Sequence, residues 1–332
     1  MSGRAKPFWF YWERFGSFAI LILTLVVFSL IDLIFLKQAP RIILPGNLLT
    51  VLCRSAIVAI PAMGMTFAIC SGGFDLSVGS IVGLSTCVWS AALPAYGIVA
   101  ASLLTMLTGA LCGILNGLAI TKLKIATFVA TLSMSYIIRS VALVVTDGSK
   151  QMISRTDNPE AKFFSQNYAV FGQQLQLVQF LMMALVFTVG YLLYRYTRFG
   201  VYTRSVGSHE PSARTSGLPV DMTLIFVFVL TGTTASISAM ITSSQLMQGA
   251  ATLGVGFELE VITAVILGGT SLAGGKGNVW GSMIAAIMLA LTRNGLNLLR
   301  LSDEYQRLSI GIILLLALTI SGVQELVKEA RK

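Results

Sequence analysis

From Gly16 onward the chain is a succession of apolar runs, each about as long as a membrane is thick, joined by mostly short polar links. A helix rising 1.5 Å per residue needs roughly 20 mostly apolar residues to cross about 30 Å of hydrocarbon. Runs of this kind lie at 16–36, 50–70, 77–95, 98–121, 126–146, 174–194, 222–244, 259–273, 279–299 and 307–323. The eighth is short and reads as a broken or re-entrant helix. The composition supports the same conclusion. Only 11% of the 332 residues are charged, where a soluble protein carries roughly 25%, and the mean hydropathy is +0.81. The expected fold is all-α: one polytopic transmembrane bundle over 1–332 with about ten spans, some of its helices broken by Gly-rich segments.

The formal net charge of +9 does not point to nucleic acid. The charges fall in short blocks between apolar runs, and no basic cluster is interleaved with aromatics. Their distribution instead orients the spans. With ten crossings and the N-terminus in the cytoplasm, the cytoplasmic side holds Arg4, Lys6, Arg14, Lys122, Lys124, Arg195, Arg198, Arg204, Arg214, Lys276, Lys328, Arg331 and Lys332. Lys37, Arg41, Lys150, Arg155, Lys162, Arg300 and Arg307 fall outside, and both termini are placed inside. The first apolar run has no small-residue cleavage site at its end and reads as a retained span. Cys53, Cys70, Cys87 and Cys112 match no metal or redox spacing and read as small buried hydrophobes.

Two longer links stand out. The outer one, 147–173, mixes Asp147, Lys150, Arg155, Asp157, Glu160 and Lys162 with Pro159. It reads as an ordered extracytoplasmic segment, either a docking surface or a solvated connection. In the cytoplasmic one, 195–221, Pro211 and Gly217 frame a short helix over Pro211–Ser216, made polar by Arg204, His209, Glu210 and Arg214. A helix lying outside the membrane there suits docking on another protein, though an ordinary amphipathic loop has the same composition.

Within the apolar runs, Ser71-Gly72-Gly73-Phe74-Asp75-Leu76-Ser77 breaks one helix, and Asp75 with Ser77 can cap the next. Discontinuous helices mark where a transport path narrows or moves, although a plain break and restart fits equally. Gly268-Gly269-Thr270-Ser271-Leu272-Ala273-Gly274-Gly275-Lys276-Gly277 looks like a phosphate-binding loop, but Thr270 stands where glycine is required and Gly277 follows the lysine. It reads as a helix breaker that binds no nucleotide. Gly109, Gly113 and Gly117 recur every four residues, as helices packed closely in lipid require. Asp75, Asn116, Arg139, Arg293, Asn294 and Asn297 are the polar groups expected at membrane depth, where each faces a partner or a cavity or snorkels. Arg139 in particular needs a carbonyl or acid partner.

As an ordered set, Gly64-Met65-Thr66, Ser71 to Gly79, Phe128-Val129-Ala130-Thr131-Leu132, Thr197-Arg198-Phe199-Gly200, Gly268 to Gly277 and Asn294 to Leu299 resemble the ribose-type (simple-sugar) permeases of bacterial ABC importers, within the branched-chain amino acid/ribose permease superfamily. The resemblance implies alternating access for a monosaccharide or related small sugar across the bacterial inner membrane. It also implies a second permease subunit, a periplasmic sugar-binding protein, and a cytoplasmic ATPase with two fused cassettes that binds the ATP and Mg, this chain holding no cofactor or metal. By the same resemblance Gly207, Ser208, His209, Glu210, Pro211, Arg214 and Gly217 form the element that couples to the ATPase, although Gly207-Ser208-His209 departs from the family's usual Gly-Gly-Asn. Breaks and motif positions together single out Ser71, Phe74, Asp75, Asn116, Phe128 and Thr131 as path residues. The rival readings are an ABC permease for branched-chain amino acids or nucleosides, and a proton-coupled carrier using Asp75 and Arg139. An intramembrane enzyme lacks a catalytic cluster, since the single histidine, His209, lies in a loop.

Overall fold

The structure is a computed structural model that describes residues 8–34, 40–170 and 172–329. Its helices are α1 (Phe8–Ile34), α2 (Pro45–Arg54), α3 (Ala56–Cys70), α4 (Val78–Thr121), α5 (Thr127–Val145), α6 (Leu177–Tyr196), α7 (Arg198–Ser208), α8 (Glu210–Thr215), α9 (Val220–Leu246), α10 (Phe257–Leu267), α11 (Val279–Leu298) and α12 (Asp303–Glu329). Among the described residues, six helices are long and apolar enough to cross a membrane, or seven if α2 and α3, bent by 44°, make one span. The protein is thus an all-α membrane bundle. Arg4, Lys6, Lys37, Arg331 and Lys332, on which part of the expected orientation rests, lie outside the described residues.

Several expected runs change shape in the fold. The runs 77–95 and 98–121 form one element, α4, folded back on itself at Gly97, where φ is 75° and ψ is 174°. That left-handed φ is open to glycine at little cost. The two arms are antiparallel, because Asn116 near the end of the second donates to Ser77 at the start of the first, at 2.8 Å. The run 50–70 is divided at Ser55 into α2 and α3. The run 259–273 yields only the 11-residue α10, and Gly268 and Gly269 then turn the chain into the loop that precedes α11.

Close backbone packing joins the second arm of α4 to α9. A Cβ added at Gly109 would fall on the carbonyl oxygen of Gly232, one at Gly113 on that of Phe228, and one at Gly117 on the backbone of Ile225. Lipid offers no hydrophobic drive for helices to associate, so such backbone approach provides dispersion contacts in its place. On the opposite face of the same arm, Leu103, Leu107, Leu111 and Leu115 are exposed. The glycine stripe faces protein and the leucine stripe faces outward, as the four-residue spacing dictates.

The long helix α9 is rich in buried hydroxyls. Most turn back onto their own helix, as Thr231 does to the Val227 carbonyl at 2.9 Å, while Ser238 crosses to the Ile57 carbonyl at 2.7 Å. The described part of the link 147–173 is ordered, as its composition suggests. Gln151–Met152 pairs antiparallel with Gln248–Gly249. Its 3-10 turn, Pro159–Ser165, is tied to α9 by Ser244 donating to the Ala161 carbonyl at 2.6 Å and by Ser165 donating to the Ser244 carbonyl at 2.9 Å.

Gly113→Leu should drive α4 off α9 and cost about 1–3 kcal/mol, the usual penalty of overpacking. Leu111→Ala on the outward stripe should be close to neutral. Thermal unfolding in detergent checks both; equal melting shifts for the two variants would contradict the seam.

Candidate functional site

The segment between α3 and α4 is built around one carboxylate. Asp75 Oδ1 accepts from the Ser77 backbone N–H at 2.9 Å and from the Ser77 hydroxyl at 2.6 Å. Asn116 Nδ2, on the returning arm of α4, donates to Ser77 Oγ at 2.8 Å and lies 3.4 Å from Asp75 Oδ1. Thr131 of α5 donates to the Phe74 carbonyl at 3.1 Å. The break is therefore clamped from both sides, by α4 and by α5. Asp75, Asn116 and Thr131 are all fully buried.

Of the six expected path residues, the structure brings Phe74, Asp75, Asn116 and Thr131 together. Ser71 belongs to the end of α3, donating to the Ala68 carbonyl at 2.8 Å. Phe128 is 57% exposed and stands apart from the clamp. Ser77, read from sequence as part of a cap, makes no side-chain cap on α4, because its hydroxyl is taken by Asp75 and Asn116, which meet through it.

Next to this clamp three breaks converge. The Gly275 N–H donates to the Cys70 carbonyl at 2.8 Å, joining the end of α3 to the Gly-rich loop before α11. Gly207, in the last turn of α7, fills the remaining space: a Cβ there would fall on the Cys70 carbonyl oxygen and press on the Gly275 nitrogen. Tyr194, near the end of α6, accepts from the Gly277 N–H at 2.7 Å, and its hydroxyl lies 3.7 Å from Cys70 Sγ. Arg204 of α7 donates to the Tyr194 carbonyl at 3.0 Å and places its guanidinium 4.8 Å from the centre of the Tyr194 ring. Any displacement of α7 therefore acts on the end of α3 and on the 274–277 loop together.

The short helix expected over Pro211–Ser216 is α8, one residue earlier at each end. His209 caps it, its Nδ1 accepting from the Ser212 N–H at 3.2 Å, and Gly217 follows it with φ of 76°. Arg214 bridges Glu210 and Asp221 at 2.9 Å each, and Asp221 also takes Lys122 at 3.0 Å. Ala213 packs with Val206, Val220 and Leu224 in a small core of its own. Gly207 and Ser208 lie against the 274–275 backbone, whereas His209, Glu210, Pro211, Arg214 and Gly217 are exposed around α8. The carboxylates of Glu210 and Asp221 push the Arg214 guanidinium above its ordinary value, so it stays charged.

The deep polar groups have found partners. Arg139 donates to the carbonyls of Ala251 and Leu253, the latter at 2.6 Å. It forms no ion pair with Asp75 among the described residues. Arg293 pairs with Glu260, Asn294 exchanges amide hydrogen bonds with Asn47 at 2.8 and 3.0 Å, and Asn297 accepts from Gln306 at 2.8 Å. None of these three acts only as a snorkelling group. Glu260 lies outside the set of expected deep polar groups, although a carboxylate inside an apolar run is itself a signal.

Asp75→Asn keeps an acceptor for Ser77 and should leave stability nearly unchanged, while Asp75→Ala should cost about 1–3 kcal/mol by stranding buried donors. Melting temperatures of the pair check this, and equal shifts would remove Asp75 from the clamp. In a background where Cys70 is the only cysteine, Gly207→Val should open the junction and raise Cys70 alkylation by roughly tenfold, because burial keeps structural thiols inert. An unchanged rate would mean that α7 does not seal the end of α3.

The profile of the family described as branched-chain amino acid transport system / permease component matches residues 47–318. The chain is 34% identical to the ribose import permease protein RbsC of Escherichia coli strain K12 over 94% of each chain. It is 35% identical to RbsC of Bacillus subtilis strain 168, over 93% of this chain and 92% of that one. To the L-arabinose transport system permease protein AraH of Escherichia coli strain K12 it is 33% identical, over 96% of this chain and 93% of that one. With the match covering most of its length, the chain belongs to the branched-chain amino acid transport system / permease component family.

Proposed function

We propose that this chain, acting over 1–332 as a single permease domain, is the membrane subunit of an ATP-driven importer that moves a monosaccharide or related small sugar by alternating access. Similarity to ribose and arabinose permeases over nearly the whole length supports the substrate class. The setting is the bacterial inner membrane, with ten spans and both termini in the cytoplasm. Two spans come from the arms of α4 and one from the bent α2–α3 pair. The partners are a second permease subunit, a periplasmic sugar-binding protein and a cytoplasmic ATPase that holds the ATP and Mg.

The observation that carries this reading is the seat of α7 and α8. A polar helical element outside the bundle rests by backbone contact on Cys70 and Gly275, beside the clamped break at 71–77. Force applied to α8 by an ATPase reaches the clamp through those contacts, and the binding protein acts from the other end. The sugar passes close to Phe74, Asp75, Asn116 and Thr131, with Ser71 and Phe128 flanking. Weak contacts suffice there because selectivity resides in the binding protein. The single-chain proton carrier is less well supported, since Asp75 and Arg139 are engaged with different partners.

The test is ATP turnover in a reconstituted complex of this chain, its ATPase and its binding protein, scanned against small sugars and against leucine. One sugar should stimulate turnover. Arg214→Glu, which reverses the charge between Glu210 and Asp221, should abolish that stimulation while leaving basal hydrolysis. Stimulation by leucine alone would reassign the substrate. Uptake that follows a proton gradient without any ATPase would overturn the importer reading.

A further inference from the structure

At the end of the bundle opposite α8, where α6 begins, lies a cavity of about 480 Å³ within a single chain. Arg54, Lys162 and Arg293 line it together with one carboxylate, Glu260. Three positive groups against one negative leave two positive charges unmatched. Of these three cations, Arg293 pairs with Glu260 itself, and neither Arg54 nor Lys162 forms an ion pair among the described residues. Glu260 is 5% exposed, and while Oε1 takes Arg293, its Oε2 is buried without a hydrogen-bond partner. Gln176, also in the lining, has a buried Oε1 in the same condition.

Buried polar atoms in native proteins are nearly always paired, so two orphaned acceptors in one cavity wall mark where donors belong. The unmatched cations mark where anionic oxygens belong. A neutral polyol meets the first demand and not the second; a simple anion meets the second and not the first. A zwitterion balances Glu260 but brings no net negative charge to the surplus.

We propose that this cavity binds a small hydroxylated anion, a phosphate or carboxylate carried on a hydroxyl-bearing carbon chain. The anionic oxygens lie toward Arg54 and Lys162, and the hydroxyls donate toward Glu260 and Gln176. The site is distant from the 71–77 clamp and the α8 seat, so it is a second site, independent of the transport reading. The same chemistry comes from a soluble sugar acid or sugar phosphate and from a phosphatidylglycerol headgroup.

Calorimetry on the full chain in phosphatidylcholine nanodiscs, with glycerol 3-phosphate and gluconate as probes and ribose and leucine as controls, tests the soluble source. Intact mass spectrometry of the chain from mixed phosphatidylcholine and phosphatidylglycerol nanodiscs tests the lipid source. Arg54→Gln and Lys162→Gln, each checked for unchanged melting, should weaken the binding roughly tenfold, as loss of a charge-assisted hydrogen bond does. Binding of the soluble probes supports a soluble ligand, and selective retention of phosphatidylglycerol supports the headgroup; either upholds the site. The proposal is overturned if neither is held. It is equally overturned if ribose or leucine binds as tightly as the anions, or if the two variants bind like the wild type. Because the readout is binding and not transport, failure here leaves the importer reading untouched, and failure of that reading leaves this site standing.

Discussion

A helix that stops inside hydrocarbon leaves carbonyls and amides with no water to receive them, and each must be met by protein. That requirement organises this molecule. The end of α3 is met by Gly275, the turns after α9 are met by Arg139 donating to Ala251 and Leu253, and the Ser77 amide just before α4 is met by Asp75. The first two of these are also contacts between elements far apart in the sequence. Irregular backbone is permitted only where the protein seals it, and at the end of α3 the seal also brings in the last turn of α7.

The rest of the bundle supplies a stiff frame for those seals. With almost no side chain between α4 and α9 along the Gly109, Gly113, Gly117 stripe, the two helices move as one body. Positive-φ turns at Gly274 and Gly275 lie next to α7 and outside that seam. The tight α4–α9 seam and the irregular turns beside α7 are therefore set apart in space.

Much of this was legible from residue spacing, because in lipid the periodicity rules are severe. The Gly109 stripe, the restart after Ser77 and the helix between Pro211 and Gly217 all follow from local chemistry, and each is found within a residue of its expected place, although Asp75 and Ser77 bond to each other and neither caps α4. The division of 50–70 at Ser55 and the shortening of the eighth run to α10 were not readable in detail, since hydropathy reports burial and not whether a helix continues. Long-range pairs were hidden for another reason. Nothing local to Arg293 names Glu260, and nothing local to Asn294 names Asn47; such partners are chosen by tertiary packing alone. Phe128, picked out by its motif, proved to be exposed, because a motif records sequence context without recording which way a helix face turns.

The junction at Cys70 also has a history in time. Its partners, Gly207 and Gly275, are encoded far downstream, Gly275 about 200 residues later. At a synthesis rate of roughly 5–20 residues per second, the Cys70 carbonyl waits about 10–40 s for its last partner. The clamp of Asp75, Ser77 and Asn116, by contrast, closes as soon as the α4 hairpin has emerged. The nascent chain therefore completes the sheath around its break well before it completes the seat of α7. During that interval the end of α3 stands without the backbone partners it has in the finished protein.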